Sequence, residues 1–181
     1  GPVVRKRIFI DAKKAHLNPK CDTDVYIQLP PEAGAPSGTC GKLNFWLYGC
    51  RNAASAWERH YSQLLESKGF VRGTSCGVVF YHRELDVALV VHGDDFTTLA
   101  EEAQLKLLSA ELAKHFAIKD RGILGPGPND VREIRLLNRV IAWEPDGILY
   151  EADQRHGEIL VDVLDLQAAK GVTTPGVQES N

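Results

Sequence analysis

Residues 77–99 carry three β-prone runs, GVVFYH, DVALVVH and FTTL, the first two joined by RELD, whose Asp86 opens the second run, and the third preceded by Gly93-Asp94-Asp95. Links this short join antiparallel neighbours, because a parallel pair needs a crossover of a dozen residues or more. The segment therefore predicts a β-meander, and the meander fixes the sheet around which the rest of the chain must pack. At its second tip, in ALVVHGDDFTTL, two adjacent aspartates sit where the sheet turns. Asp beside Gly suits a tight solvated turn. Clustered carboxylates also suit a divalent cation.

The flanking segments are helical or extended. From Asn52 to Lys68, Trp57, Tyr61, Leu64 and Leu65 fall at i, i+4, i+7 and i+8, with Gly69 where a C-terminal cap belongs. A second helix is expected after the meander, with Leu105, Leu108, Leu112 and Phe116 on one face and Thr98/Glu101 as its capping box. Near the start, RKRIFID (5–11) reads as a strand ending on Asp11, with Ile8 and Ile10 on one face. Residues 19–42 are Pro/Gly-rich and predict a loop or a pair of short extended pieces. GILGPGPND (122–130) predicts a breaker-rich loop, and 132–152 a hairpin turning at Pro145-Asp146-Gly147. A last amphipathic helix with Ile159, Leu160, Val163, Leu164 and Leu166 should stop near Gly171. Helices segregated from an antiparallel sheet make an α+β two-layer sandwich, ferredoxin-like, with the helices on one face.

A length of 181 residues suits one domain spanning 1–181, with residues 131–181 following its core as a hairpin plus helix. With a net charge of −3, bulk charge does not announce a nucleic-acid binder, although Arg5, Lys6 and Arg7 open the chain with a small basic patch. Cys21, Cys40, Cys50 and Cys76 lack C-x-x-C spacing, which argues against zinc and a disulfide framework. No signal peptide or membrane-length apolar run is visible, so an intracellular protein with no membrane partner is expected. Gly1-Pro2 looks like the scar of a cleaved tag, and the absence of methionine agrees with an internal fragment of a longer chain.

In a sheet of this kind the end of the first strand and the tip of the later hairpin can be neighbours. Asp11, Asp94 and Asp95 would then converge on one edge, as a pair of divalent cations about 3.5–4 Å apart requires.

These residues fall in segments that resemble one family. DAKKAHLN (11–18) resembles the D-V-K-T-A-F-L-N segment of copia-type retrotransposon reverse transcriptases, and VYIQLPP (25–31) resembles the E-V-Y-M-x-Q-P-P that follows it. LYGCRNAASAW (47–57) is similar to L-Y-G-L-K-Q-A-P-R-A-W, and HGDD (92–95) stands where Y-V-D-D would be. HFAIKDRG (115–122) looks like F-x-M-K-D-L-G, and TTP (173–175) falls where the family has a T-P. The segments keep the family's order. The resemblance implies a polymerase palm and an RNA-directed DNA polymerase (nucleotidyltransferase) activity using Mg²⁺ or Mn²⁺. It implies metal-binding catalytic roles for Asp11, Asp94 and Asp95, a further metal ligand in the Ala12 backbone oxygen, and a pyrophosphate-assisting role for Lys119. It implies that His16 lies under the incoming sugar and that Asn52 lies near the templating base. Implied partners are an RNA or DNA template-primer and dNTP.

Phe of A-F-L-N is His16 here, Tyr-Val is His92-Gly93, and Gln is Asn52. Only ten residues precede Asp11, where the family's fingers would stand, so fingers and ribonuclease H regions are expected to be missing. The further partners expected are these missing regions of a longer polyprotein, or a homo-oligomer. Two functions follow: a reverse transcriptase palm performing two-metal nucleotidyl transfer, inactive in this form if the fingers are needed; or a degenerate, repurposed palm acting as a non-catalytic binding or assembly module.

Overall fold

The computed structural model describes residues 4–153 and 155–171, and the chain divides into two compact units, 1–132 and 133–181. The first unit begins with β1 (Lys6–Ala12), a short hairpin of β2 (Tyr26–Gln28) and β3 (Cys40–Lys42), and helix α1 (Ala53–Ser67). The meander follows as β4 (Val71–Arg72), β5 (Val79–His82), β6 (Val87–His92) and β7 (Asp95–Ala100), then α2 (Glu102–His115) and β8 (Ile118–Leu124). These strands form one antiparallel six-stranded sheet in the order β4-β5-β6-β7-β1-β8. The fold is α+β, as the meander predicts.

β1 is an interior strand, paired with β7 on one side and β8 on the other, and Ile8, Phe9 and Ile10 are each about 1% exposed. Ile8, Ile10 and Ala12 join Leu89, Val91 and Phe96 on the face covered by the two helices, which contribute Trp57, Tyr61 and Leu65 from α1 and Leu105, Leu108 and Leu112 from α2. The period-2 alternation then sends Asp11 and Asp95 to the opposite face. Gly69, at φ 90°, ends α1 in the left-handed conformation that a residue without a Cβ adopts cheaply.

Several local expectations are corrected. Thr98 does not cap α2: it lies inside β7, fully buried, and the helix follows Glu101 without a side-chain cap. Burial of the strand outweighs a capping preference worth about 1 kcal/mol. Gly122, Ile123 and Leu124 belong to β8 rather than to a loop, because Ile123 and Leu124 pair with Ile8 and Arg7 of β1.

The second unit contains β9 (Glu133–Leu136), β10 (Arg139–Glu144), β11 (Gly147–Glu151) and α3 (Arg155–Val163). Its sheet has three strands, not two, because Leu137 and Asn138, at φ 48° and 62°, form a second tight turn ahead of the expected one. Helix α3 stops at Val163, short of Gly171, and Ile159, Leu160, Val163, Leu164 and Leu166 are all exposed. Thr173-Thr174-Pro175 lies outside the described residues.

Candidate active site

Asp11 and Asp95 are direct partners in the β1–β7 ladder, so their side chains leave the same face of the sheet side by side. The hairpin between β6 and β7 closes with His92 opposite Asp95, leaving Gly93 and Asp94 as a two-residue loop. Gly93 has φ 62° and Asp94 does not share it, the pattern of a type II′ turn. Two hydrogen bonds hold this tip. The indole Nε1 of Trp57 donates to the Gly93 carbonyl at 2.8 Å, and the Ala12 amide donates to the Asp94 carbonyl at 2.8 Å. Helix α1 and the end of β1 thus fix the backbone that carries the acidic pair.

The three aspartates differ in setting. Asp95 is buried, Asp11 is partly buried, and Asp94 is exposed at the turn. Burial pushes the Asp95 carboxyl above the ordinary carboxylate range; Arg121 pulls it back, while Asp94 and Asp11 push it further up.

Arg121, on β8, is the residue that sequence reasoning missed. Its Nη2 lies 3.4 Å from Asp11 Oδ2 and 3.3 Å from Asp95 Oδ1, so one nitrogen is shared between the two carboxylates. The backbone explains this reach. β8 pairs with β1 as Asp120 with Ile10 and Ile123 with Ile8, which leaves Arg121 and Gly122 together opposite Phe9 in a β-bulge. Gly122 supplies φ 93°, and its amide donates to Asp120 Oδ1 at 2.8 Å; the other carboxylate oxygen of Asp120 accepts from Ser109 Oγ on α2 at 2.9 Å. The bulge is therefore pinned to the helical layer. One signal pointed to Arg121: it stands where the quoted segment F-x-M-K-D-L-G has leucine.

The other predicted residues have separate settings in the same unit. Lys119 is exposed on β8 as the ladder partner of Asp11, and Ala12 is fully buried at the end of β1. His16, in a 3-10 turn over Ala15–Leu17, stacks on Tyr48 with ring centroids 4.4 Å apart. Asn52 precedes α1, exposed, with its carbonyl accepting from the Ala56 amide and Ser55 Oγ. Among the described residues, no group of three or more His, Cys, Asp or Glu side chains is arranged to hold a metal ion. Asp11 and Asp95 suit a hard cation in donor type, since one or two carboxylates with water and phosphate oxygens make the usual Mg²⁺ shell. Between them in this structure is a guanidinium. Among the described residues, no helix is long and apolar enough to cross a membrane.

An antiparallel sheet with helices on one face and paired aspartates on the other defines a palm-like domain. The profile of the family described as reverse transcriptase (RNA-dependent DNA polymerase) matches residues 4–126, which contain the whole of this site. The chain belongs to the reverse transcriptase family. It is 25% identical over 173 residues to a retrovirus-related Pol polyprotein from transposon TNT 1-94 of Nicotiana tabacum. That alignment covers 92% of this chain and 12% of the tobacco polyprotein. The copia-type resemblance of the motifs agrees with this transposon relative. No solved structure gives a significant match to the chain.

Proposed function

We propose that this chain is the palm portion of an RNA-directed DNA polymerase, with Asp11, Asp94 and Asp95 as the carboxylates that hold Mg²⁺ or Mn²⁺. The observation that carries this reading is the ladder pairing of Asp11 with Asp95, inside the segment matched by the family. Bound metal would activate a primer 3′-hydroxyl and neutralise charge developing on the dNTP phosphates. The chain's own residues set the geometry. β1 and β7 present Asp11 and Asp95 from rigid neighbouring strands, and Trp57 and Ala12 hold the turn that carries Asp94. Lys119, beside Asp11, supplies a cation on the same face for the departing pyrophosphate. His16, backed by Tyr48, offers a flat ring to the incoming sugar, and Asn52 lies at the entrance of α1 near the templating base. Template-primer and dNTP are the partners on this reading.

Primer extension on RNA and DNA templates with Mg²⁺ or Mn²⁺ tests it, with Asp11→Asn and Asp94→Asn as controls. Extension that both substitutions abolish supports the assignment. Its absence from wild type, also after upstream polypeptide is supplied, refutes it. The guanidinium between Asp11 and Asp95 favours a second reading, a palm retained as a non-catalytic binding or assembly module. That reading predicts template-primer or protein binding without extension.

A further inference from the structure

We infer that Arg121 is the resident counter-cation of the Asp11–Asp95 pair, and that a divalent metal must displace its guanidinium to enter. The inference rests on the metal-binding reading of these carboxylates given above. Three observations carry it. The shared Nη2 is 3.4 Å from one carboxylate oxygen and 3.3 Å from the other, the location a cation common to both would take. The three side chains are partly withdrawn from water, at 29% exposure for Arg121, 26% for Asp11 and 11% for Asp95, so their charges are screened less than those of surface ion pairs. Arg121 is also delivered from a built feature, the bulge opposite Phe9, whose Gly122 and Asp120 are anchored to each other and to Ser109. It is not a long side chain meeting an acid by chance on an open surface.

A metal ion entering between the two carboxylates meets the guanidinium nitrogen that they already share. Metal entry therefore requires the side chain to swing away from β1, and Mg²⁺ or Mn²⁺ pays the lost ion pairs in affinity. Charge repulsion adds to this while the guanidinium remains nearby. Removing the charge should open the position without altering the backbone that holds the aspartates.

The test is Mn²⁺ binding to the whole chain, read from the free-ion paramagnetic resonance signal and by calorimetry, with no nucleotide or template present. Arg121→Gln and Arg121→Leu should each bind Mn²⁺ at least tenfold more tightly than wild type. Arg121→Lys, which keeps a positive charge, should stay close to wild type. Adding Asp95→Asn to Arg121→Gln should cancel the gain and so place the ion at the pair. The two neutral variants guard against one of them failing to fold. Equal affinity in wild type and Arg121→Gln overturns the counter-cation role and leaves the metal-binding reading standing. No Mn²⁺ bound by either neutral variant, with both folded, overturns the two together.

Discussion

Replacing Trp57 with Phe should loosen the aspartate-bearing turn from the helix that holds it. Trp57 is 2% exposed and its ring meets Phe116 at 5.0 Å and Tyr61 at 5.4 Å between centroids, both edge-on. Phe keeps the six-membered ring in that cluster but loses the indole N–H that reaches the Gly93 carbonyl at 2.8 Å. The lost hydrogen bond costs about 1 kcal/mol. The side chain shrinks by about 40 Å³, and at about 24 cal/mol per Å³ of unfilled space this adds about 1 kcal/mol. The expected loss is about 2 kcal/mol, which at a urea m-value of about 2 kcal/mol/M lowers the midpoint by about 1 M. Urea unfolding followed by far-UV circular dichroism gives the shift. Amide exchange supplies the local readout: the Ala12 amide, bonded to the Asp94 carbonyl, should exchange faster in Trp57→Phe than amides in the middle of β1. A midpoint shift below about 0.3 M, with Ala12 exchange unchanged, would refute the argument, because a surface substitution can do as much.

The turn and the surface ion pairs give further expectations. Gly93→Ala meets no atom within 4 Å but must hold φ 62°, so it should cost about 1 kcal/mol from backbone conformation alone, with Gly93→Asn costing less; equal urea midpoints for all three proteins would contradict this. Glu111 accepts hydrogen bonds from Lys114 and Lys68, which hold its carboxyl down at about 2 against an ordinary 4.5. A depressed carboxylate stabilises the fold above its unfolded value, and that stabilisation disappears as pH falls through the folded value. Between pH 4.5 and 2, then, Tm should fall less steeply in the Lys68→Ala/Lys114→Ala variant than in wild type, and parallel Tm–pH curves would show that the pairs contribute nothing.

What the sequence revealed was what local pattern and strand parity determine. Tight links in 77–99 allowed only antiparallel neighbours, and alternation along RKRIFID put Ile8 and Ile10 on one face, leaving Asp11 for the other. The adjacency of Asp11 and Asp95 was legible because each stands at a strand end beside a turn. Where the sequence misled, a long-range contact had overruled a local signal. Thr98 and Glu101 have the spacing of a capping box, but Thr98 faces the helix-covered core opposite Ile8 and Leu89. Leu137-Asn138 lacks the usual Asn-Gly spelling of a tight hairpin, although both residues take positive φ.

Arg121 was hidden for a deeper reason, and it changes what the three aspartates mean. Gly122 and the prolines beyond it resemble a loop, so nothing local announced that residues 118–124 would line up beside β1. Once they do, strict alternation would set Gly122 opposite Ile8; the bulge inserts one residue and sets Ile123 there instead, an apolar partner on the helix-covered face. The core thus gains from the same irregularity that leaves Arg121 beside Lys119 on the acidic face. Three retained carboxylates by themselves argue for a metal site, yet two of them already have a cation built into the sheet. Aspartates kept for metal alone would be undisturbed by a neutral residue at 121, whereas aspartates kept as partners of Arg121 would be left as an uncompensated, partly buried pair. Stability and Mn²⁺ affinity should therefore move in opposite directions in Arg121→Gln, destabilised without the ion and restored with it.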